Sequence, residues 1–138
     1  MKVLVSACLL GRDCKYNGGN NYSARVMEFL KDKEIIPVCP EVLAGMGVPR
    51  TPVEIRDGIV TDRDGNNVDA PLREAVQRIL ARLRDEEIAC AVLKSRSPTC
   101  GVKQVYDGSF TGKLVAGAGI FAQALTAAGI AVIDAEDI

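Results

Sequence analysis

The stretch "EIIPVCPEV", residues 34–42, decides the fold of this 138-residue chain. Its apolar run, Ile35 to Val38, has the length of a buried strand, and a Cys, a Pro and a Glu follow at once. The strand therefore ends at a shaped loop, which is where functional residues concentrate in proteins. The thiol of Cys39 has several alternative uses: core packing, half of a disulfide, a nucleophile or a metal ligand.

Three further apolar runs also have the length and composition of buried strands. They cover Lys2 to Ser6, Ala89 to Leu93 and Ile130 to Ile133. Patterns typical of helices separate the strands: Ala24 to Lys31 with Ser23 as cap, Pro71 to Asp85 with Asp69 as cap, and Gly117 to Ala128, ended by Gly129. Strands that alternate with amphipathic helices predict an α/β fold: one domain over residues 1–138, with a mostly parallel sheet flanked by helices, in a Rossmann-like three-layer arrangement.

The remaining segments are rich in turn residues. Residues 40–58 hold three prolines and three glycines, and we expect a shaped loop there rather than a regular element. Asp64-Gly65 predicts the turn of a small hairpin between residues 59–61 and 66–68.

Charge and hydropathy exclude two classes of partner. Seventeen basic and eighteen acidic residues give a net charge of −1, which argues against binding a nucleic acid polymer. No apolar stretch approaches the ~20 residues that cross a bilayer, so no membrane is expected. Val5 to Cys8 imitates a lipoprotein cleavage box, but the residues before it are too few for a secretory signal. We therefore expect a cytoplasmic protein.

The five cysteines carry the chemistry, because the chain has no histidine. The odd number and the lack of an export signal argue against a disulfide framework. Cys8 follows the first predicted strand, Cys39 the second, and Cys100 lies in the loop after the third. Since ligands bind at the carboxyl ends of parallel strands, these three thiols are expected at one edge of the sheet. Cys90 lies inside a strand, and we expect it to be a buried packing residue.

Three thiolates in one site leave two interpretations open. An iron-sulfur cluster held by three cysteines keeps one iron free for substrate. Alternatively, Cys14 supplies a fourth ligand and closes the site around a cluster or a zinc ion, although the chain has no C-x-x-C pair.

Polar residues near these cysteines have alternative roles as well. Glu41 is either an acid-base group or a solvated loop residue, and Ser97 either contacts substrate or only shapes a turn. Arg50 and Arg96 either bind anions or project into solvent, and we expect the second. The segment "GAG" at 117–119 opens a predicted helix and is a candidate anion site at its N-terminus, although it lacks the full G-x-G-x-x-G pattern of a dinucleotide site.

Three motifs, "VSACLLGRDCKYNGG", "VCPEVLAGMGVPRTPVEI" and "LKSRSPTCG", together resemble the DUF523 family, which includes the thiouracil desulfidases. The resemblance implies an oxygen-sensitive [4Fe-4S] cluster held by Cys8, Cys39 and Cys100, with one iron not ligated by protein. It also implies that Glu41 is the catalytic acid-base residue and Ser97 its partner, and that Cys14 is not a ligand. The chain departs from the family pattern "RYDG", where it has "KYNG" at residues 15–18.

The resemblance further implies the reaction. We expect a non-redox desulfidase: the free iron binds the sulfur of a thiolated nucleobase such as 2-thiouracil, and water attacks the carbon. Hydrolytic cleavage of the C–S bond then gives uracil and hydrogen sulfide. The alternative is a non-catalytic iron-sulfur or zinc protein, a sensor or cluster carrier, with Cys14 as fourth ligand. The expected partner is a small thiolated molecule, and a homodimer is left open.

Overall fold

The computed structural model describes residues 1–138. Its strands are β1 (Lys2–Ser6), β2 (Glu34–Val38), β3 (Val53–Arg56), β4 (Ile59–Asp62), β5 (Ile88–Leu93), β6 (Gln104–Tyr106), β7 (Leu114–Ala116) and β8 (Val132–Asp134). Its helices are α1 (Ala24–Phe29), α2 (Pro40–Leu43), α3 (Asp69–Leu83) and α4 (Ile120–Ala127), with 3-10 turns at Ala7–Leu10 and Ala135–Asp137. No helix is long and apolar enough to cross a membrane.

Four strands form a parallel sheet in the order β2-β1-β5-β8. Strand β1 lies in the middle, and its residues Val3, Leu4 and Val5 are all fully buried. A continuous apolar run is what a strand covered on both faces requires. The predicted α/β class and the mostly parallel sheet are therefore confirmed.

Helices cover both faces of this sheet. On one face, Leu4 and Leu93 pack with buried residues of α3 and α4, including Phe121. On the other face, Val3 and Val5 belong to a smaller cluster with α1 and the segment that follows it. The three-layer arrangement follows from this alternation of side chains along each strand.

The helix caps agree only in part with the sequence. The Ser23 side chain accepts a hydrogen bond from the Val26 amide at 3.2 Å, as predicted for the cap of α1. Asp69 is the first residue of α3 and not its cap. Its Oδ1 instead accepts a hydrogen bond from the Val60 amide at 3.0 Å, and so ties the helix to β4. Helix α3 ends at Leu83, before the predicted Asp85.

Residues 40–58 are more regular than predicted. They contain α2 and β3, and β3 pairs with β4 in an antiparallel hairpin. The turn of this hairpin is Asp57-Gly58, where both residues have positive φ, 52° and 79°. The expected hairpin at Asp64-Gly65 is reduced to one bridge between Thr61 and Asn67. Prolines in this segment lie outside β3 and therefore leave its ladder intact.

Two other expectations are corrected by the structure. Strands β6 and β7 form a second antiparallel hairpin in a segment that had no predicted strand. Cys90 is half-buried rather than fully buried, because β5 is fully covered only from Ala91 to Leu93. Strand β8 begins and ends later than predicted, and its last residue, Asp134, is buried and caps the final 3-10 turn through the Glu136 amide.

Candidate active site

The three cysteines follow three neighbouring strands of the sheet. Cys8 lies in the 3-10 turn directly after β1, Cys39 precedes the first residue of α2 directly after β2, and Cys100 lies in the loop after β5. Because β2, β1 and β5 are adjacent and parallel, their carboxyl ends are at the same edge. The predicted positions of these residues along the chain thus correspond to one edge of the sheet.

Burial and mutual repulsion act on these thiols. Burial raises the pKa of Cys8, against a hydrogen bond with Asn21 that lowers it, and the neighbouring Cys39 raises it further. Burial also raises the pKa of Cys100 far above its usual range, against a hydrogen bond with Ser6, and Glu41, Cys8 and Cys39 add to the effect. Cys39 therefore lies close enough to Cys8, and both lie close enough to Cys100, to affect the pKa of these thiols.

Cys14 lies near the same group. Burial raises the pKa of Cys14 to about 12, and the nearby thiols of Cys39 and Cys8 contribute. Its backbone carbonyl accepts a hydrogen bond from Arg50 at 2.9 Å. The structure thus brings Cys14 to the site, although the family resemblance does not give it a ligand role.

The donor set suits an iron-sulfur cluster in its chemistry. All five cysteines are free, and soft thiolates are the ligands that iron-sulfur clusters use. Buried thiols resist ionisation, and a bound metal cation removes that resistance because it neutralises the thiolate. No group of three or more Cys, Asp or Glu side chains stands at direct metal-ligand spacing. The thiols therefore fit an iron-sulfur cluster by ligand type and lie near one another, but they do not stand at the spacing of a formed coordination shell.

Glu41 is held by two residues. Its Oε2 accepts hydrogen bonds from Arg50, from Nε at 3.0 Å and also from Nη2, and its Oε1 accepts one from the Thr99 hydroxyl at 2.8 Å. The side chains are largely buried, with 7% of Arg50 and 15% of Glu41 exposed. The expectation that Arg50 projects into solvent is therefore wrong, because its guanidinium finds a buried carboxylate and two backbone carbonyls.

Ser97 organises the loop that carries Cys100. Its Oγ accepts hydrogen bonds from the amides of Thr99 and Cys100, both at 3.1 Å. The preceding Arg96 has φ of 64°, a left-handed conformation that non-glycine residues rarely adopt. Arg96 is partly exposed and pairs with Glu136 at 3.0 Å, in keeping with the solvent position expected for it. The hydroxyl of Ser97 donates no hydrogen bond to the protein and keeps its proton available.

Two glycines allow this loop to pack closely. A Cβ on Gly101 would lie 2.6 Å from the Ser97 carbonyl oxygen, and one on Gly119 would lie 2.4 Å from that of Thr99. The first amides of α4 donate to loop carbonyls: Ile120 to Pro98 and Phe121 to Thr99, both at 2.9 Å. The N-terminus of α4 is therefore occupied by the cysteine loop, and the anion site expected at "GAG" is wrong.

A cavity of about 460 Å³ opens beside these residues. Both Glu41 and Ser97 line it, whereas none of the cysteines does. Its aromatic lining residues are Tyr16, Tyr106 and Phe110. Its basic lining residues are Lys15, Arg50, Arg63, Lys94 and Arg96. A planar polar molecule fits such a site, because aromatic faces bind the ring and charged groups orient it.

Sequence reasoning missed the partners of Glu41. The motif "VPRTP" gives no sign that Arg50 is buried, and Thr99 reads as an ordinary loop residue. A usable signal was present only for Thr99, since it directly precedes Cys100 and therefore lies in the same loop as a predicted ligand. The ion pair itself depends on how residues 44–50 fold back, which spacing alone does not predict.

Known proteins resemble this chain over nearly its whole length. A family model described as 2-thiouracil desulfurase matches residues 3–137. The "Uncharacterized protein YbbK" of Bacillus subtilis is 33% identical, with 99% of this chain and 97% of that protein covered. A solved structure, the [4Fe-4S]-dependent thiouracil desulfidase TudS (DUF523Vcz), superposes with a TM-score of 0.91 at 32% identity, over 99% of this chain and 92% of that one.

These matches agree with the three motifs and with the α/β fold. They confirm the resemblance to the DUF523 family that the motifs carry. The chain belongs to the 2-thiouracil desulfurase family.

Proposed function

We propose that this protein is a non-redox desulfidase that hydrolyses the C–S bond of a thiolated nucleobase such as 2-thiouracil. Cys8, Cys39 and Cys100 hold a [4Fe-4S] cluster, and one iron has no protein ligand. The observation that carries the proposal is the joint position of Glu41 and Ser97 in one cavity, with Glu41 within electrostatic reach of the Cys100 thiol. The [4Fe-4S]-dependent TudS, with the same fold, supports the choice of cofactor.

The cofactor and the protein have different tasks. When bound, the cluster supplies an iron with a free coordination position, a soft Lewis acid that draws electron density from a thiocarbonyl carbon. Glu41 accepts a proton from the attacking water. Arg50 and Thr99 hold one carboxylate oxygen each, so the side chain keeps a fixed orientation toward the cavity.

Ser97 acts as a hydrogen-bond donor to the substrate. Its oxygen already accepts two backbone amides, which polarise the O–H bond and fix its position. The free proton points to no protein acceptor and is suited to a substrate oxygen or to developing negative charge. The loop that places this hydroxyl is itself locked against α4.

The atoms balance without an electron donor. Water supplies the oxygen of the new C=O bond, and its two protons leave with the sulfur as hydrogen sulfide. Glu41 carries one proton between the water and the departing sulfur and ends in its starting state. No oxidation state changes, which is why the reaction is hydrolytic.

One observation favours the alternative. Besides burial, the neighbouring thiols of Cys39 and Cys8 raise the pKa of Cys14, which supports Cys14 as a fourth ligand. A site closed in this way holds a cluster or zinc ion without a free metal position, as in a sensor or carrier. The two functions differ in whether Cys14 is required for metal binding.

The proposed roles are tested on anaerobically reconstituted protein. Glu41→Gln and Ser97→Ala should keep full iron content, while release of sulfide from 2-thiouracil falls by about 10²-fold or more. Glu87→Gln, an exposed position far along the chain, is the matched control and should remain fully active. Full turnover by either site variant would remove its assigned role. Absence of sulfide release by the wild type with its cluster intact would remove the function.

Two smaller expectations stay predictions, the cytoplasmic location and the single domain over residues 1–138, and a homodimer is left open. The last is tested by light scattering of the reconstituted protein.

A further inference from the structure

Glu54 is a buried carboxylate in the wall of the cavity that the mechanism does not use. It lies in β3, only 8% of the residue is exposed, and it lines the same cavity as Glu41 and Ser97. Its Oε1 accepts hydrogen bonds from the amides of Gly108 at 3.0 Å and Phe110 at 3.2 Å. One oxygen therefore holds the loop between β6 and β7.

The second oxygen of Glu54 has no partner in the protein. No hydrogen bond reaches its Oε2, and Glu54 belongs to none of the ion pairs. Fully buried side-chain oxygens and nitrogens all have partners in this structure, so Oε2 is not fully buried, and Glu54 lines the cavity. A carboxylate oxygen on a residue that is only 8% exposed is left unpaired unless a bound molecule or water donates to it.

Glu54 is not the sole anchor of the loop. Arg56 donates to the Gly108 carbonyl from Nε at 3.0 Å and from Nη2 at 2.8 Å, and its guanidinium lies 5.8 Å from the centre of the Phe110 ring. A Cβ on Gly108 would lie 2.7 Å from the Ile55 carbonyl oxygen, so the loop packs tightly on β3. Anchoring the loop therefore leaves the second carboxylate oxygen without a structural task.

We propose that Glu54 determines specificity by accepting a hydrogen bond from a ring N–H of the bound nucleobase. The inference rests on the proposed function, and it adds a recognised chemical group: the N–H of a lactam or thiolactam ring. Tyr106 and Phe110 line the same cavity and offer aromatic faces to a planar ring. A ring without the donor leaves Oε2 unpaired, and the site discriminates against it.

The variant Glu54→Gln separates recognition from anchoring. The amides of Gly108 and Phe110 require an acceptor, so the glutamine carbonyl oxygen takes the place of Oε1. Its NH2 group then occupies the place of Oε2 and faces the cavity as a donor. The loop keeps its hydrogen bonds, while the group that faces the cavity changes from a hydrogen-bond acceptor to a donor.

Binding of the reaction product needs no turnover and is measured by calorimetry with uracil, 1-methyluracil and 3-methyluracil. Wild-type protein should bind one of the two methylated forms at least about tenfold more weakly than uracil. Glu54→Gln should bind uracil about tenfold more weakly and lose most of that discrimination. Arg56→Ala removes the other loop anchor and the guanidinium beside the Phe110 ring, so it should weaken binding of all three ligands alike and keep the wild-type ratio between them.

The outcomes are distinct from those of the activity test. Equal discrimination by wild type and Glu54→Gln, or no discrimination by wild type, would overturn the role of Glu54. A change of the ratio in Arg56→Ala equal to that in Glu54→Gln would also overturn it, because loop position alone would then explain the effect. Binding of uracil that depends on Glu54, in a protein that releases no sulfide, would retain the inference and reject the desulfidase reaction.

Discussion

The four-stranded parallel sheet and the two antiparallel hairpins are stabilised differently. The sheet is buried on both faces, and its central residues Val3, Leu4 and Val92 have no exposed surface. The hairpins β3-β4 and β6-β7 lie beside the cavity and contribute Glu54, Tyr106 and Phe110 to its wall. Apolar burial positions the sheet, whereas the hairpins combine buried residues such as Val60 and Val105 with polar contacts such as those of Glu54.

This difference separates stability from recognition. Side chains in the sheet layers should affect unfolding strongly and the reaction only through unfolding. Side chains around the cavity should affect binding and catalysis more than unfolding. The Glu41–Arg50 pair is the exception, because it belongs to the cavity and is nearly as buried as the core.

The largest effect is expected in the core. Phe121→Ala removes a fully buried ring between α4 and the sheet, and the free energy of unfolding should fall by about 3–5 kcal/mol. Urea unfolding measures it. Val115→Ala in β7, where 41% of the residue is exposed, is the control and should change stability by about 0.5 kcal/mol or less. Similar losses for the two variants would contradict the assignment of the main stability to apolar burial between the sheet and its helices.

Breaking the buried ion pair comes next. Arg50→Ala leaves the Glu41 carboxylate without its main partner, so stability should fall by about 2–3 kcal/mol and sulfide release should fall as well. Arg73→Ala removes an arginine–carboxylate pair on the surface of α3, and its cost should be about 0.5 kcal/mol or less. Urea unfolding and turnover are compared for both. If Arg50→Ala were as mild as Arg73→Ala, the pair would not hold the site together.

A methyl group placed against the cysteine loop tests the link between α4 and the site. Gly119→Ala puts its Cβ 2.4 Å from the Thr99 carbonyl oxygen, which should cost about 1–3 kcal/mol and lower turnover by about tenfold or more. Gly129→Ala meets no atom within 4 Å but has φ of 83°, so it should cost about 1 kcal/mol and leave turnover unchanged. Equal turnover of the two variants would contradict the idea that packing of α4 against the cysteine loop affects the active site.

The smallest effect is expected at the cap of α1. Ser23→Ala removes the side chain that accepts the Val26 amide, and stability should fall by about 1 kcal/mol with no change in turnover. Ser23→Asp keeps an acceptor and should restore most of the loss. A failure of Ser23→Asp to restore stability would argue against the cap as the cause.

The sheet was readable from the sequence because buried parallel strands are continuous apolar runs. The bounds of β1 were predicted as Lys2 to Ser6 and are observed unchanged. The positions of Cys8, Cys39 and Cys100 after their strands followed from the same pattern. Strand ends are local features, so a single sequence contains them.

The hairpins and the partners of Glu41 were not readable for physical reasons. Strands β6 and β7 have three residues each, too few for an alternation to be recognised. Arg50 and Thr99 meet Glu41 across nine and 58 positions of sequence, at spacings that follow no helix or strand period. The contacts of Arg50 and Thr99 with Glu41 depend on how the loops fold in three dimensions, so they cannot be predicted from spacing in the sequence.

The most direct test of the account is an iron count after anaerobic reconstitution with iron and sulfide. Wild type, Cys14→Ser and Cys90→Ser should each bind about four irons per chain, whereas Cys8→Ser, Cys39→Ser and Cys100→Ser should lose the cluster. That result supports a cluster held by three cysteines with one iron free for the substrate. Loss of iron in Cys14→Ser as well, or no iron in the wild type, would contradict it.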